Sequence, residues 1–278
     1  MREKGTIQKE VYFSGVGIHS GEKVDLILKP SSSGEIIFRR TDLGNLELNL
    51  DTKKIESKNS INLVSKGCKI QTIEHLMAVL YMSGIDSLIV ELNGSEIPAM
   101  DGSASPFVRE ILRAGIRQLP DGQKSIKILQ SFVIQEKEAS VSFHPDQAFK
   151  ITYSIEFDHP LIRRQELGLT VNKENFITEI APARTFGFLK DIPALRAQGL
   201  TLGGSLDNAV VLDEIGVISG PLRFPDEFVR HKILDLIGDL SLLAFPLVGH
   251  CKADKAGHHL HLKAVRFLLD NPEYWTFE

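Results

Sequence analysis

The sequence predicts a pseudo-duplicated α+β protein, and three features of its 278 residues predict it. Strand-like alternation opens each half of the chain, and apolar segments of helical period close each half. Between the halves lies a stretch with turn chemistry, Leu119-Pro120-Asp121-Gly122-Gln123. The repeat is one of element order, without residue-level self-similarity. A chain of this length suits two domains of roughly 130 residues each. The expected division is therefore 1–121 and 122–278.

In the first half, alternation over 6–13, 23–28, 35–39 and 46–50 reads as strands. Gly15, Gly17 and Gly21 fall between the first two. A pyrophosphate-binding loop would have to lead into a helix N-terminus, whereas 23–28 alternates like a strand. The glycines are read instead as a hairpin turn with His19 at its tip, near the substrate cleft. A helix follows, with Thr72 as N-cap and Gly84 as its stop. Ile73, Leu76, Met77 and Leu80 form its packing stripe. Glu74 and His75 fall in the first turn, off that stripe, where the helix's positive end favours an ionised carboxylate. A strand over 87–92, the Asn93-Gly94 turn and a helix capped by Ser105 with Pro106 at its first position complete this half.

The second half reads as strands over 126–135, 140–143 and 149–157, then a helix beginning near Asn172. A short helix over 192–199 and a strand over 208–212 form an apolar insert at about 186–213. A long helix over 226–245, a strand over 247–252 and a closing helix from about Leu260 finish the chain.

A hydrophobic share of 42% with 24% charged residues is that of an ordinary soluble domain. The net charge of −4 provides no broad basic field, so nucleic acid is not the expected partner. Two cysteines, Cys68 and Cys251, far apart in sequence, suit a reducing compartment. No apolar signal core and no run near membrane-span length occur. The expectation is a cytoplasmic monomer without stable membrane insertion, acting on a small molecule.

The chemistry gathers in the long helix. Among Phe228, Val229, Ile233, Leu234, Leu236, Ile237, Leu240 and Leu243 it places His231, Asp235 and Asp239 at steps of four, on one helical face. An imidazole and two carboxylates in apolar surroundings are costly unless something satisfies them. A divalent metal would do so, and so would a core pair in which Asp235 accepts from His231. With His75 the set becomes two histidines and a carboxylate, the three-ligand pattern of a catalytic zinc site with one position open to water. Glu74 would then stand ready to take a proton from that water. The same donors also suit ferrous iron. The plain alternative for Glu74-His75 is a solvated helix start, since no second histidine follows at i+4. His144, His159 and His250 show no partner pattern and read as surface or strand-end residues. His259 and His261 flank His258 but are expected to point elsewhere.

Several blocks recur in this order in one family: Ile73-Glu74-His75-Leu76, Ile97-Pro98-Ala99-Met100-Asp101-Gly102-Ser103-Ala104, Ala183-Arg184-Thr185-Phe186-Gly187-Phe188, Leu202-Gly203-Gly204-Ser205, Val229 to Asp239, and Lys255-Ala256-Gly257-His258. Together with Gly15-Val16-Gly17-Ile18-His19-Ser20-Gly21, they make the chain resemble, from about residue 6 onward, the UDP-3-O-acyl-N-acetylglucosamine deacetylases of lipid A (lipopolysaccharide) biosynthesis in Gram-negative bacteria.

The resemblance implies two β/α sandwich domains with the site between them, and hydrolysis of the N-acetyl group of UDP-3-O-(3-hydroxyacyl)-N-acetylglucosamine. It implies zinc on His75, His231 and Asp235, with Glu74 as general base. His258 would be the cationic acid, oriented by Asp239, and Thr185 a donor to the oxyanion. Phe186 and the insert would line an acyl passage. Lys232 and Lys255 would lie near substrate polar groups and phosphates, and His19 and Gly204 beside the substrate. One departure is Phe143-His144-Pro145, where some relatives are expected to carry Phe-Lys-Pro at the diphosphate. The rival readings are a zinc amidohydrolase for another N-acyl substrate and a non-catalytic binder of acylated sugar nucleotides.

Overall fold

The computed structural model describes residues 2–278. The first half contains β1 (Arg2–Ile7), β2 (Val11–Val16), β3 (Lys23–Pro30), β4 (Ile36–Arg40), β5 (Leu46–Asn49), β6 (Ile55–Ser57), β7 (Ile61–Ser65) and β8 (Cys68–Ile70). It continues through α1 (Glu74–Ser83), β9 (Leu88–Leu92), α2 (Ser105–Ala114) and β10 (Ile116–Gln123). A five-stranded sheet of order β2-β3-β9-β4-β5 is antiparallel except between β4 and β9. Its central strand β9 buries Leu88, Val90 and Leu92 completely or nearly so, while β3 alternates buried Val24, Leu26 and Leu28 with exposed Lys23 and Asp25. β6, β7 and β8 form a small antiparallel meander.

The second half contains β11 (Ile126–Ile128), β12 (Phe132–Glu136), β13 (Ala139–His144), β14 (Phe149–Phe157), β15 (Arg163–Thr170), α3 (Lys173–Asn175), β16 (Phe186–Phe188), α4 (Ile192–Ala197) and β17 (Val210–Leu212). It closes with α5 (Glu227–Leu240), β18 (Leu247–Asp254), α6 (His258–Asp270) and β19 (Trp275–Phe277). β18 is the axis of a seven-stranded sheet, antiparallel to β13 and parallel to β14 and β11. α5 packs over β14 and β15, α6 over β12 and β13, and α1 packs against α5. The architecture is the α+β class that the sequence predicts.

Why α1 and α5 meet is legible in their burial. Every residue of α1 from Glu74 to Tyr81 is buried, and in α5 only Arg230 and Lys232 escape. Such helices need cover on all sides. They cross at Gly238, where an added Cβ would stand 2.2 Å from the Glu74 carbonyl oxygen.

Local expectations differ from the structure in several places. The turn expected at 119–123 belongs to β10, which pairs with β1. Glu3 faces Gly122 while Gly5 faces Gln118, so Pro120 and its neighbours are absorbed as a bulge and the 121/122 division falls within a paired strand. Thr72 does not cap α1; it sits at φ 57° and its hydroxyl donates to Glu96. α2 likewise starts without a Ser105 cap, and Ser103 Oγ accepts from the Ser105 amide instead. β15 was not foreseen because none of its residues is buried: it pairs along β14 as a polar strand. Asn172 does cap a helix, accepting from Asn175 N, but after α3 the turn widens into a π-helix over Phe176–Ile180.

Candidate active site

The face of α5 that carries His231, Asp235 and Asp239 meets the first turn of α1. His75 Nε2 lies 3.4 Å and His231 Nε2 3.3 Å from Asp235 Oδ1. One donor atom from each of the three lies within 4.8 Å of the others. Four ligands at zinc bond lengths of about 2.0–2.1 Å form a tetrahedron with edges of roughly 3.3 Å. The two carboxylate–imidazole separations match that edge.

Protonation favours the same use. His231 Nδ1 is 3.2 Å from the Ala183 carbonyl, which can only accept, so Nδ1 carries the proton and Nε2 turns its lone pair to the site. Burial pushes the His231 pKa down to about 4, keeping the ring neutral. Burial alone would raise Asp235, but His231 and Lys232 beside it hold its carboxyl well below the usual range. Lys232 Nζ donates to Asp235 Oδ2 at 2.8 Å, leaving Oδ1 to face the histidines. Burial alone would lower the His75 pKa, but the Asp235 carboxylate beside it raises it, so a cation bound here would take the place of the proton that Asp235 draws to that ring. With that proton displaced, two imidazoles and a carboxylate are a donor set that a divalent cation fits.

Around these donors stand the groups for proton transfer. Glu74 Oε2 accepts from Ile61 N at 3.0 Å, and Oε1 lies 3.7 Å from His258 Nε2. Burial raises the Glu74 pKa above that of an ordinary carboxylate. His258 opens α6, with Nδ1 2.8 Å from Asp239 Oδ2 and Nε2 3.8 Å from Asp235 Oδ2. Burial lowers its pKa despite the carboxylates nearby.

A cavity of about 590 Å³ opens over this cluster. Glu74, His75, His231, Lys232, Asp235 and His258 line it together with an apolar branch walled by Phe186, Phe188, Ile192, Leu195, Leu206 and Val211, and Phe186 meets His231 edge-on at 6.3 Å between ring centroids. Thr185 lines the same cavity, its amide donating to Gly102 O at 2.8 Å. Gly102 sits at φ 85°, where a Cβ would meet Asn208 O at 2.3 Å, so only glycine lets the Asn208 backbone come so close. The β2–β3 loop brings His19 to the rim. That loop is tied down by buried Glu96, which accepts from His19 N, Ser20 N and the Thr72 hydroxyl.

The sequence pattern of the family described as UDP-3-O-acyl N-acetylglycosamine deacetylase matches residues 4–270. The chain belongs to that deacetylase family. A protein of Thermodesulfovibrio yellowstonii named UDP-3-O-acyl-N-acetylglucosamine deacetylase is 44% identical over 271 residues, covering 97% of this chain and 92% of its own. Proteins of the same name from Geotalea uraniireducens and Hahella chejuensis are 42% and 43% identical, over 98% and 100% of this chain and 90% and 95% of their own.

Within this family member, ten of the residues singled out from sequence line one cavity: His19, Glu74, His75, Thr185, Phe186, Gly204, His231, Lys232, Asp235 and His258. Asp239 lies behind His258. Lys255 is not brought to the cavity; its ammonium pairs with Glu156 at 2.5 Å and Glu138 at 3.3 Å. His261, expected to point elsewhere, contacts Asp239 Oδ2 at 2.7 Å through Nδ1. The signal was available, since His258 and His261 are three apart and share a face once α6 begins at His258. His159 is also no surface residue: it is buried, with Nε2 3.0 Å from Asp213 O. His144 and His250 face each other across β13 and β18 and contact Ser131, Ser142 and Thr152. Glu96, the anchor of the His19 loop, gave no sequence signal.

Proposed function

We propose that this chain is a zinc-dependent amide hydrolase that removes the acetyl group of UDP-3-O-(3-hydroxyacyl)-N-acetylglucosamine in the cytoplasm, the committed step of lipid A biosynthesis, and works as a monomer. The observation that carries the reading is the union, in one cavity, of three donors that could hold a metal ion, a buried carboxylate beside them and an apolar lining. The first half, 1–121, supplies His19, Glu74 and His75, and the second, 122–278, supplies Thr185, Phe186, Gly204, His231, Lys232, Asp235 and His258, in keeping with two domains that share the site.

Zinc held by His75, His231 and Asp235, or iron on the same donors, would supply a water acidified towards pH 7 and a positive charge near the scissile carbonyl. Glu74, fixed by Ile61 N, is the group placed to accept a proton from the water that attacks the acetamide. The Thr185 hydroxyl donates to the developing oxyanion. Lys232, already hydrogen-bonded to Asp235, keeps a positive charge at the same end. His258, oriented through Nδ1 by Asp239, delivers a proton from Nε2 to the departing amine. The products are acetate and the free 2-amino sugar nucleotide. The 3-O-acyl chain lies in the branch of Phe186, Phe188 and Leu195, with His19 and Gly204 along the sugar-nucleotide side. Lys255, held by two glutamates, has no part in this arrangement.

The test is acetate release from that substrate before and after chelation and on zinc re-addition. Loss on chelation and recovery with zinc is expected. A fully metal-loaded protein that releases no acetate would refute hydrolysis and leave a binding protein for the same ligand.

A further inference from the structure

Asp239 is buried to 0% exposure, yet it is not a private partner of His258. Its Oδ2 meets two imidazoles, His258 Nδ1 at 2.8 Å and His261 Nδ1 at 2.7 Å, and its Oδ1 has no hydrogen-bond partner among the described residues. Behind His261 stands the fully buried Tyr153 of β14, whose hydroxyl is 3.0 Å from His261 Nε2 and 2.7 Å from the Ala256 carbonyl. We propose that His261, backed by Tyr153, is a positioning residue for the hydrolysis: it fixes Asp239, and through Asp239 the direction in which His258 presents Nε2 to the reacting bond.

Counting protons shows how the chain is wired. The Ala256 carbonyl can only accept, so the single Tyr153 proton goes to it, and the Tyr153 oxygen is left to accept. His261 Nε2 must therefore carry a hydrogen and donate to Tyr153. Its Nδ1 faces a carboxylate oxygen, and one further proton lies between the two, on whichever side it resides. The Asp239–His261 pair thus carries no net charge, and Asp239 still accepts from His258 Nδ1. Burial pushes the Asp239 pKa up to about 7, in keeping with a shared proton. The wiring closes on itself, because Ala256 lies two residues before His258, in the turn that sets where α6 begins. Tyr153 is fixed within the seven-stranded sheet, so the sheet interior is connected by hydrogen bonds to a ring that faces the cavity. Without His261, Asp239 would keep one partner and could turn about its own side-chain bonds, and the His258 ring would turn with it.

The inference rests on the hydrolytic reading above, and the experiment separates the two. kcat and KM for acetate release, together with bound metal, are measured for the wild type, His261→Leu, His261→Asn, His258→Ala and the His258→Ala/His261→Leu double variant. Leucine fills the space without a donor; asparagine places an amide N–H where Nδ1 stood. His261→Leu should lower kcat on the order of 10–100-fold, the loss of one charge-assisted hydrogen bond, with KM and metal content unchanged. His261→Asn should recover most of it. In the His258→Ala background, His261→Leu should cost nothing further, because the residue acts through His258. The same loss factor in both backgrounds, an asparagine no better than leucine, or full activity in His261→Leu overturns the proposal. If His261→Leu does not fold, Tyr153→Phe is read the same way, with a several-fold loss expected only where His258 is present. A wild type that releases no acetate refutes hydrolysis itself, and this inference with it, before any variant is examined.

Discussion

Gly238→Ala is the change that most directly tests how the site is held together. A Cβ at this position would stand 2.2 Å from the Glu74 carbonyl oxygen, 2.8 Å from its carbonyl carbon and 3.0 Å from its Cα. All three are backbone atoms of the first turn of α1, so no side-chain rotation relieves the contact. The turn must retreat from α5 by about 1 Å to restore ordinary van der Waals separation. Overpacking of this kind costs about 1–3 kcal/mol, and replacing a helical glycine by alanine returns up to about 1 kcal/mol. The net of roughly 0–2 kcal/mol lowers Tm by at most about 8 °C in a protein of this size. Activity should fall much further. The turn that moves carries Glu74 and His75 away from His231 and Asp235, and a misplacement of about 1 Å costs on the order of 10²-fold in rate. Thermal unfolding and kcat for acetate release, measured with metal in excess, should give a folded protein a few degrees less stable and about a hundredfold slower. A variant with kcat within a factor of about two of wild type and an unchanged Tm would refute the claim that this backbone contact sets the spacing.

Glu74→Gln keeps an oxygen for Ile61 N but cannot accept a proton, so kcat should drop about 10²–10⁴-fold while metal analysis shows full occupancy. Because burial raises the Glu74 pKa, the acidic limb of kcat/KM should lie above the range of a free glutamate; activity is lost as pH falls through it, and a pH series on the variant should lack the limb. Leu195→Gln, in the wall of the apolar branch, should raise KM on the order of tenfold for long acyl chains and leave short-chain analogues unaffected in a chain-length series. In the metal-free protein, His231 titrates near about 4 when folded and near its ordinary 6.5 when unfolded. Between those values the unfolded chain binds the extra proton, so stability rises with pH across the window, by roughly 3 kcal/mol in all. Denaturation midpoints at several pH values should show that this dependence is reduced by an equivalent amount in His231→Gln.

What the sequence revealed depended on how far a side chain's meaning travels along the chain. His231, Asp235 and Asp239 were legible because one helix fixes their common face at steps of four. His75 was not placed by local pattern alone: its partners come from α5, and the two helices were joined ahead of the structure by the chemistry of a two-histidine, one-carboxylate ligand set, with the family resemblance adding to it. Phe149–Phe157 was read to the residue, since a strand with buried Ile151, Tyr153 and Ile155 alternates. Its neighbour Arg163–Thr170 was missed because only Leu167 and Leu169 turn apolar side chains towards the core, and both are just half-buried, too short a period to stand out among charged residues. His261 was misjudged because its direction depends on where α6 begins, and that is set by the contacts of Tyr153 and Asp239. Lys255 was placed near the substrate by the resemblance; in the structure it sits at φ 51° and its ammonium pairs with Glu156 and Glu138.

The pairing of β1 with β10 has a consequence for how the protein comes into being on the ribosome. Once residue 123 has emerged, the strands of the N-terminal sheets and their closing partner are all present. At that stage the nascent chain offers His75 as one donor of three, and the other two arrive with α5, more than a hundred residues later. If the proposed site holds its metal through all three donors, metal acquisition would follow the synthesis of α5. A bound ion would then mark a chain translated at least that far, and a chain released before α5 would be metal-poor and inert instead of partly active.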